Sequence, residues 1–169
     1  MSQPHASDPA AAPVPKGTLM AGKRGVVMGV ANDRSIAWGI AQAVAAQGGE
    51  LAFTYQGEAL EKRVRPLAEG IGSRLVLPCD VTDDSSVDAV FSRVAQDWGG
   101  LDFVVHAIGF ADKNFLRGRY MDTPRSAFLQ ALDISCYSFV SVAQRAVPLM
   151  KPGGSLLTMS YLGAERVTP

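Results

Sequence analysis

The segment at residues 24–39, RGVVMGVANDRSIAWG, decides the fold, because an apolar run passes through a glycine turn into an alanine-rich helical pattern. Residues 24–29 predict a buried strand, and residues 35–47 carry apolar side chains at helical spacing. Ser35 is a candidate N-cap for that helix, and the glycine pair at 48–49 marks its end. A strand that leads into a helix N-terminus brings backbone N–H groups and the helix dipole to one point, which suits a pyrophosphate.

The residues of this turn indicate what it would do. Gly29 allows a cofactor to approach the backbone closely, and Ser35 can add a hydroxyl donor. Gly39, inside the helix, is expected to let helix and strand pack closely. The strict G-x-G-x-x-G spacing is absent, so an ordinary strand-to-helix turn with a packing glycine remains an alternative.

The strand–helix alternation continues along the rest of the chain. Further strands are predicted at 51–55, 74–77, 101–106 and 154–160, and further helices at 58–69, 83–98 and from 123 to about 150. Continuous apolar strands are typical of a parallel sheet covered on both faces. We therefore predict an α/β fold with a doubly wound, Rossmann-like parallel sheet.

Composition excludes some classes of protein. Lys plus Arg and Asp plus Glu are 16 each, so no basic excess favours nucleic-acid binding. No uncharged apolar run is long enough to predict a membrane span. Cys79 and Cys136 match neither a disulfide framework nor a metal site, which predicts reduced, buried thiols in a cytoplasmic protein without a bound metal. Residues 1–20 are rich in proline and alanine and predict a disordered tail, followed by a dinucleotide-binding domain at 21–169.

Five motifs together indicate a family. They are GVANDRSIAWGIA at 29–41, FTYQ at 53–56, CDV at 79–81, HAIGFA at 106–111 and SYLGAER at 160–166. From about residue 19 to residue 169 the chain resembles the divergent short-chain dehydrogenase/reductase family, and within it the bacterial NADH-dependent enoyl-[acyl-carrier-protein] reductases. The resemblance implies NADH-dependent reduction of trans-2-enoyl-[acyl-carrier-protein] to acyl-[acyl-carrier-protein] in fatty acid biosynthesis. It also implies a homotetramer, in which the long helix near the chain's C-terminal end packs between subunits.

The resemblance also assigns site residues. The cofactor-binding positions that it implies are Gly29, Ser35, Ile36, Gln56, Asp80, Val81, Ile108 and Gly109. Ala111 would contact the acyl substrate, and Tyr161 resembles the first of the family's two active-site tyrosines. Three alternatives stay open: Gln56 as a solvated loop amide, Asp80 as a helix cap, and Tyr161 as a packing residue at the sheet edge. We expect His106 to be a satisfied strand-end histidine.

The chain departs from the family pattern at its C-terminal end. The family has a Tyr-x6-Lys pair about ten residues beyond the tyrosine of SYLGAE, and this chain stops at Pro169. The resemblance therefore implies an N-terminal portion that lacks the last strands and is inactive alone. Two other readings remain: a short-chain reductase acting on a ketone or alcohol, and a non-catalytic dinucleotide-binding module. The turn sequence and HAIG disfavour the ketone or alcohol reductase.

Overall fold

Five apolar runs pair in parallel to form one sheet in the computed structural model, which describes residues 14–161, 163, 165 and 166. The strands are β1 (Arg24–Met28), β2 (Glu50–Tyr55), β3 (Leu75–Pro78), β4 (Phe103–His106) and β5 (Ser155–Thr158). Their order across the sheet is β3-β2-β1-β4-β5, and every neighbouring pair is parallel. The predicted doubly wound parallel sheet is confirmed.

Helices connect the strands and cover both faces of the sheet. They are α1 (Ile36–Ala46), α2 (Gly57–Gly70), α3 (Asp84–Trp98), α4 (Arg125–Leu132) and α5 (Ser138–Ala146). Local signals define α3 most clearly: the Asp83 carboxylate accepts from the backbone N–H of Ser85 at its start, and Gly99 adopts a φ of 68° at its end.

Alternation along the central strand divides the core between the two faces. Val27 and Phe53 lie in the cluster with α1 and α2, whereas Val26 and Met28 lie in the cluster with α3 and α5. All four side chains are fully buried. Because successive strand residues point to opposite faces, a run of apolar residues is needed to fill both layers.

The long helix predicted from 123 to about 150 is present, but its middle is not α-helical. A π-turn spans Asp133–Tyr137, and a 3₁₀ turn, Val147–Leu149, follows α5. The Ser138 hydroxyl donates to the carbonyl oxygen of Ile134 at 2.6 Å, a side-chain bond of the kind that distorts helices. By length and composition alone, Arg125–Leu149 is the one helical stretch among the described residues that could cross a membrane, and 22% of its apolar window is buried.

One sequence expectation needs correction here. A Cβ on Gly39 would meet nothing within 4 Å, so this glycine lies on the exposed side of α1 and does not mediate helix–strand packing. Within the segment expected as a tail, Gly17 donates its N–H to the carbonyl of Ala46, and Gln47 Nε2 donates to the carbonyl of Pro15. The first thirteen residues lie outside the described residues.

Candidate functional site

A cleft opens where the carboxyl ends of β1 and β4 meet. Strand order reverses between these two strands, which is where doubly wound sheets bind ligands. The cleft is lined by Gly29, Val30, Ala31, Thr54, Tyr55, Gln56, Leu60, Cys79, Asp80, Val81, Thr82, Ala107, Ile108, Gly109, Phe110 and Ile134. Six of the eight positions expected to bind a cofactor are among them.

Gly29 shapes the turn at the floor of the cleft. Its φ is 93°, in the region that L side chains rarely adopt, and a Cβ would collide with the carbonyl oxygen of Ala107. The turn after β1 therefore packs directly on the end of β4, and any side chain at this position would push the two apart.

Ser35 and Ile36 follow this turn at the start of α1, outside the cleft lining. Ser35 occupies the N-cap position, but its side chain makes no capping bond into the helix. The Ser35 Oγ instead accepts from the N–H groups of Ala31 at 3.0 Å and Asn32 at 3.1 Å, so it organises the turn that precedes the helix. In the described part of the chain, the N–H groups of Ile36 and Ala37 have no hydrogen-bond partner. The N-terminus of α1 can therefore receive an anion.

A polar pair closes the other end of the cleft. Gln56 Nε2 donates to Asp80 Oδ2 at 2.9 Å, which joins the ends of β2 and β3. Asp80 Oδ1 accepts from the Thr82 hydroxyl at 2.7 Å and from the Thr82 N–H at 2.9 Å. The Thr82 hydroxyl is the main reason that the pKa of Asp80 is below its usual value, and Gln56 adds to the effect. Asp80 is therefore ionised at neutral pH.

The alternative in which Asp80 caps the next helix is wrong, because the N-cap of α3 is Asp83. Next to Asp80, Cys79 lines the cleft as a buried thiol, as expected, and burial raises its pKa to about 11. The expectation of burial is wrong for Cys136, whose side chain is exposed. Among the described residues no group of acidic, histidine or cysteine side chains could hold a metal ion.

The loop after β4 and the segment after β5 lie at the same edge of the sheet. His106 pairs in register with Thr158, so Ile108 and Tyr161 follow neighbouring strand ends by two and three residues. Ile108 and Gly109 line the cleft. Ala111 is exposed and Tyr161 is 72% exposed, and both lie outside the cleft lining. Leu162 and Ala164, within the SYLGAER motif, lie outside the described residues.

His106 is fully buried at the end of β4 and serves the structure. Its Nε2 lies 2.7 Å from the Ser138 hydroxyl and its Nδ1 lies 3.3 Å from the Thr158 hydroxyl. Because Ser138 donates its one proton to the carbonyl of Ile134, His106 must donate from Nε2. Burial lowers the pKa of His106, which keeps the ring neutral. This arrangement matches the expected strand-end histidine.

Sequence reasoning missed one wall of the cleft. Ile134 comes from the π-turn, 25 residues along the chain from Gly109 and in a segment predicted as regular helix. Phe110 also lines the cleft, directly after Gly109, which the sequence analysis names as a cofactor-binding position. The segments HAIGFA (106–111) and DISCYS (133–138) both carry small or polar residues among apolar ones, which is a weak sign of a site. Sequence alone does not show that these two segments touch.

Comparisons with known proteins agree on one family. A family model described as enoyl-(acyl carrier protein) reductase matches residues 29–169. A Rhizobium meliloti (strain 1021) protein named enoyl-[acyl-carrier-protein] reductase [NADH] 2 is 61% identical over 151 residues, covering 89% of this chain and 56% of the relative. A Bacillus cereus (strain ATCC 14579) enoyl-[acyl-carrier-protein] reductase [NADH] is 49% identical and is covered over 59% of its length. The chain thus spans between 56% and 59% of these relatives.

Solved structures show the same similarity. The enoyl-(acyl-carrier-protein) reductase of Anaplasma phagocytophilum, solved in complex with NAD, has a TM-score of 0.88 and 59% identity, covering 91% of this chain and 59% of that one. The Bacillus cereus enzyme, solved with NADP+ and an indole naphthyridinone, has a TM-score of 0.86 and 49% identity, covering 89% of this chain and 59% of that one.

Proposed function

This chain belongs to the enoyl-(acyl carrier protein) reductase family, and from that membership we propose that the full-length protein reduces trans-2-enoyl-[acyl-carrier-protein] to acyl-[acyl-carrier-protein] with NADH in fatty acid biosynthesis. The observation that carries the proposal is the cleft at the strand-order reversal, where the Gly29 turn and the Gln56–Asp80 pair lie together. The cofactor would supply the hydride, and the protein would position and polarise the reactants.

The turn from β1 into α1, next to the cleft, supports a pyrophosphate site. Gly29 leaves no room for a side chain against the backbone of Ala107, and the N–H groups of Ile36 and Ala37 are open to an anion in the described chain. We assign the pyrophosphate to Gly29, Ser35 and Ile36, with the dipole of the eleven-residue helix adding attraction. Ser35 would act mainly by holding the turn in the shape that exposes these groups.

The adenosine end would lie between β2 and β3. Asp80 is an ionised acceptor suited to an adenine amino group, and the neighbouring Val81 lines the same wall. Gln56 would bind the adenosine ribose. The two side chains hold one another through their hydrogen bond, so this end of the site is organised before a cofactor arrives.

The reacting end would lie beside the loop after β4. Ile108 and Gly109 would pack against the cofactor, and Ala111 would contact the acyl chain. Tyr161 follows the adjacent strand and is assigned to the active site, where its phenol could hydrogen-bond the enoyl substrate. The exposure of Ala111 and Tyr161 is in keeping with substrate-facing positions at the rim of the cleft.

The decisive experiment measures NADH oxidation by the full-length protein with a crotonyl thioester and with crotonyl-[acyl-carrier-protein]. We expect turnover with both substrates, and a lower kcat/KM for Tyr161→Phe. Tyr120→Phe is the matched control, because Tyr120 is also an exposed tyrosine, at 80% against 72% for Tyr161, and it lies in the loop between β4 and α4, outside the SYLGAER segment. Turnover of ketones or alcohols without turnover of enoyl thioesters would replace the proposal with another short-chain reductase.

We also propose a homotetramer built on the long helix. One side of that helix carries exposed apolar residues: Phe128, Leu129, Leu132, Tyr137, Val140 and Val147. Its other side packs into the sheet core through Val142 and Ala146, which supports a subunit interface over a membrane span. Light scattering should give the mass of four subunits, and Leu132→Glu should reduce it, whereas Leu116→Glu in the exposed loop should not. A monomeric parent protein would contradict the proposal.

The remaining partner is the acyl carrier protein that presents the enoyl chain. We place the reaction in the cytoplasm, in keeping with the free thiols of Cys79 and Cys136. The balanced charge gives no support for a nucleic-acid partner, and a membrane partner is not part of the proposal.

A further inference from the structure

The Ser135 hydroxyl makes a double contact with the loop after β4. Its Oγ accepts from the backbone N–H of Phe110 at 3.0 Å and donates to the carbonyl oxygen of Phe110 at 3.2 Å. Both polar groups of one loop residue are thus held by one side chain from the distant helix. A Cβ on Gly109 would lie 4.0 Å from the same Oγ, so the loop passes close to this serine.

The π-turn that carries Ser135 is fixed by hydrogen bonds. The carbonyl oxygen of Ile134 accepts from the Ser138 hydroxyl, and the Ser138 Oγ lies 2.7 Å from Nε2 of the buried His106 ring. The π-turn is therefore tied to the end of β4 through His106 and to the loop that follows β4 through Ser135. Widened helical turns of this kind occur frequently at functional sites.

The tied segments both line the cleft. Ile134 and Phe110 face it, together with Ile108 and Gly109. A change at Ser135 would therefore alter the wall beside the reacting end while leaving the Gln56–Asp80 pair in place. The hydroxyl of Ser135 is occupied by Phe110, which indicates that it acts on the loop.

We propose that Ser135 is a positioning residue that holds the 108–111 loop in the shape needed at the reacting end of the cleft. The proposal rests on the reductase function proposed above. Ser135 acts through the Phe110 backbone, so its contribution should fall on the enoyl substrate and the chemical step. Ile108 and Gly109 in this loop would also touch the cofactor, but the adenosine and phosphate contacts lie elsewhere, so NADH affinity should change less than kcat/KM.

The test uses full-length Ser135→Ala, with Ser135→Thr to restore the hydroxyl and Ser126→Ala as control, since Ser126 is exposed on the same helix. We expect Ser135→Ala to lower kcat/KM for crotonyl-[acyl-carrier-protein] about tenfold, through both kcat and KM, with the NADH Kd changed less than about threefold. Ser135→Thr should recover most of the loss, and Ser126→Ala should match the parent. Equal effects of Ser135→Ala on kcat/KM and NADH Kd, or no recovery with threonine, would overturn the proposal.

A second measurement separates this proposal from the reductase function. Hydrogen exchange at the Phe110 amide should accelerate in Ser135→Ala and stay unchanged in Ser126→Ala, because Ser135 is the acceptor of that N–H among the residues that the structure describes. This readout needs no substrate, so it tests the tether even if the parent shows no enoyl turnover. Unchanged exchange at Phe110 in Ser135→Ala would overturn the inference on its own.

Discussion

Gln56 and Asp80 hold each other across the ends of β2 and β3 through a hydrogen bond of 2.9 Å from Nε2 to Oδ2. An ionised carboxylate can only accept, so the amide NH₂ of Gln56 must face Asp80. The opposite end of the amide, Oε1, has no partner within the described residues and remains an acceptor. An acceptor suits the 2′-hydroxyl of an adenosine ribose and offers nothing to a 2′-phosphate.

The first prediction is that the full-length protein prefers NADH to NADPH. With a crotonyl thioester we expect kcat/KM to be about tenfold or more higher with NADH, because Gln56 gives the phosphate no charged partner. Gln56→Arg should move the ratio toward NADPH by adding a cation at this position. The measurement is initial rates with both cofactors for parent and variant.

An equal or higher kcat/KM with NADPH would contradict this reading of Gln56. Lys62 and Arg63 follow on α2 and would then be the candidate phosphate ligands. Lys62 Nζ already lies 3.7 Å from Glu58 Oε2, so it would have to leave this ion pair to bind a phosphate.

The second prediction concerns Asp80. Asp80→Ala should weaken NADH binding about ten- to hundred-fold, because one charge-assisted hydrogen bond is worth roughly 1.5–3 kcal/mol. The variant also frees Gln56 from its fixed orientation. Cofactor fluorescence titration measures the change, and kcat at saturating NADH should fall much less.

Asp83→Ala is the matched control for Asp80, since Asp83 is a nearby carboxylate that caps α3. It should lower the free energy of unfolding by about 1 kcal/mol and leave the NADH Kd near that of the parent. If the two variants weakened NADH equally, the effect of Asp80 would be structural.

The third prediction compares two glycines of the first turn and helix. Gly29→Ala should cost at least 1–3 kcal/mol of stability, roughly the cost of a strained φ, and the collision with Ala107 adds to it. Gly39→Ala should instead stabilise by about 0.5–1 kcal/mol, because the site is open and helical. Denaturant unfolding of both variants gives the comparison. Similar losses in both would show that Gly39 has a packing role after all.

The layout of the sheet was predictable because β1, β2 and β4 each fill two apolar layers with a continuous apolar run. The run VVM at 26–28 carries that signal, and the glycine turn and capping residues of α3 mark the boundaries. The roles of glycines and serines in and beside helices were less predictable. A helical glycine can face the sheet or the solvent, and a serine at a helix start can bond the helix or the preceding turn. Gly39 faces outward and Ser35 bonds backward to Ala31 and Asn32, and neither orientation is encoded in spacing.

The part of the candidate site that directly follows strand ends was predictable from sequence. The part formed where distant segments of the chain meet was not. Gln56 and Asp80 follow neighbouring strands, so parallel pairing brings them together. The π-turn differs from a regular helix by one residue in its turn, which apolar periodicity does not resolve. The contact between Ser135 and Phe110 joins segments 25 residues apart and exists only in the fold.

The fourth prediction concerns pH and His106. Burial lowers its pKa in the folded state, while the unfolded chain should protonate near the ordinary value of about 6.5. Between these two values the unfolded state binds more protons, so the free energy of unfolding rises with pH and is lost as pH falls. His106→Gln keeps a donor toward Ser138 and cannot titrate. Full-length parent protein should lose more stability than His106→Gln between pH 7 and about pH 5 in denaturant unfolding, and parallel curves for the two proteins would show that His106 does not report this proton.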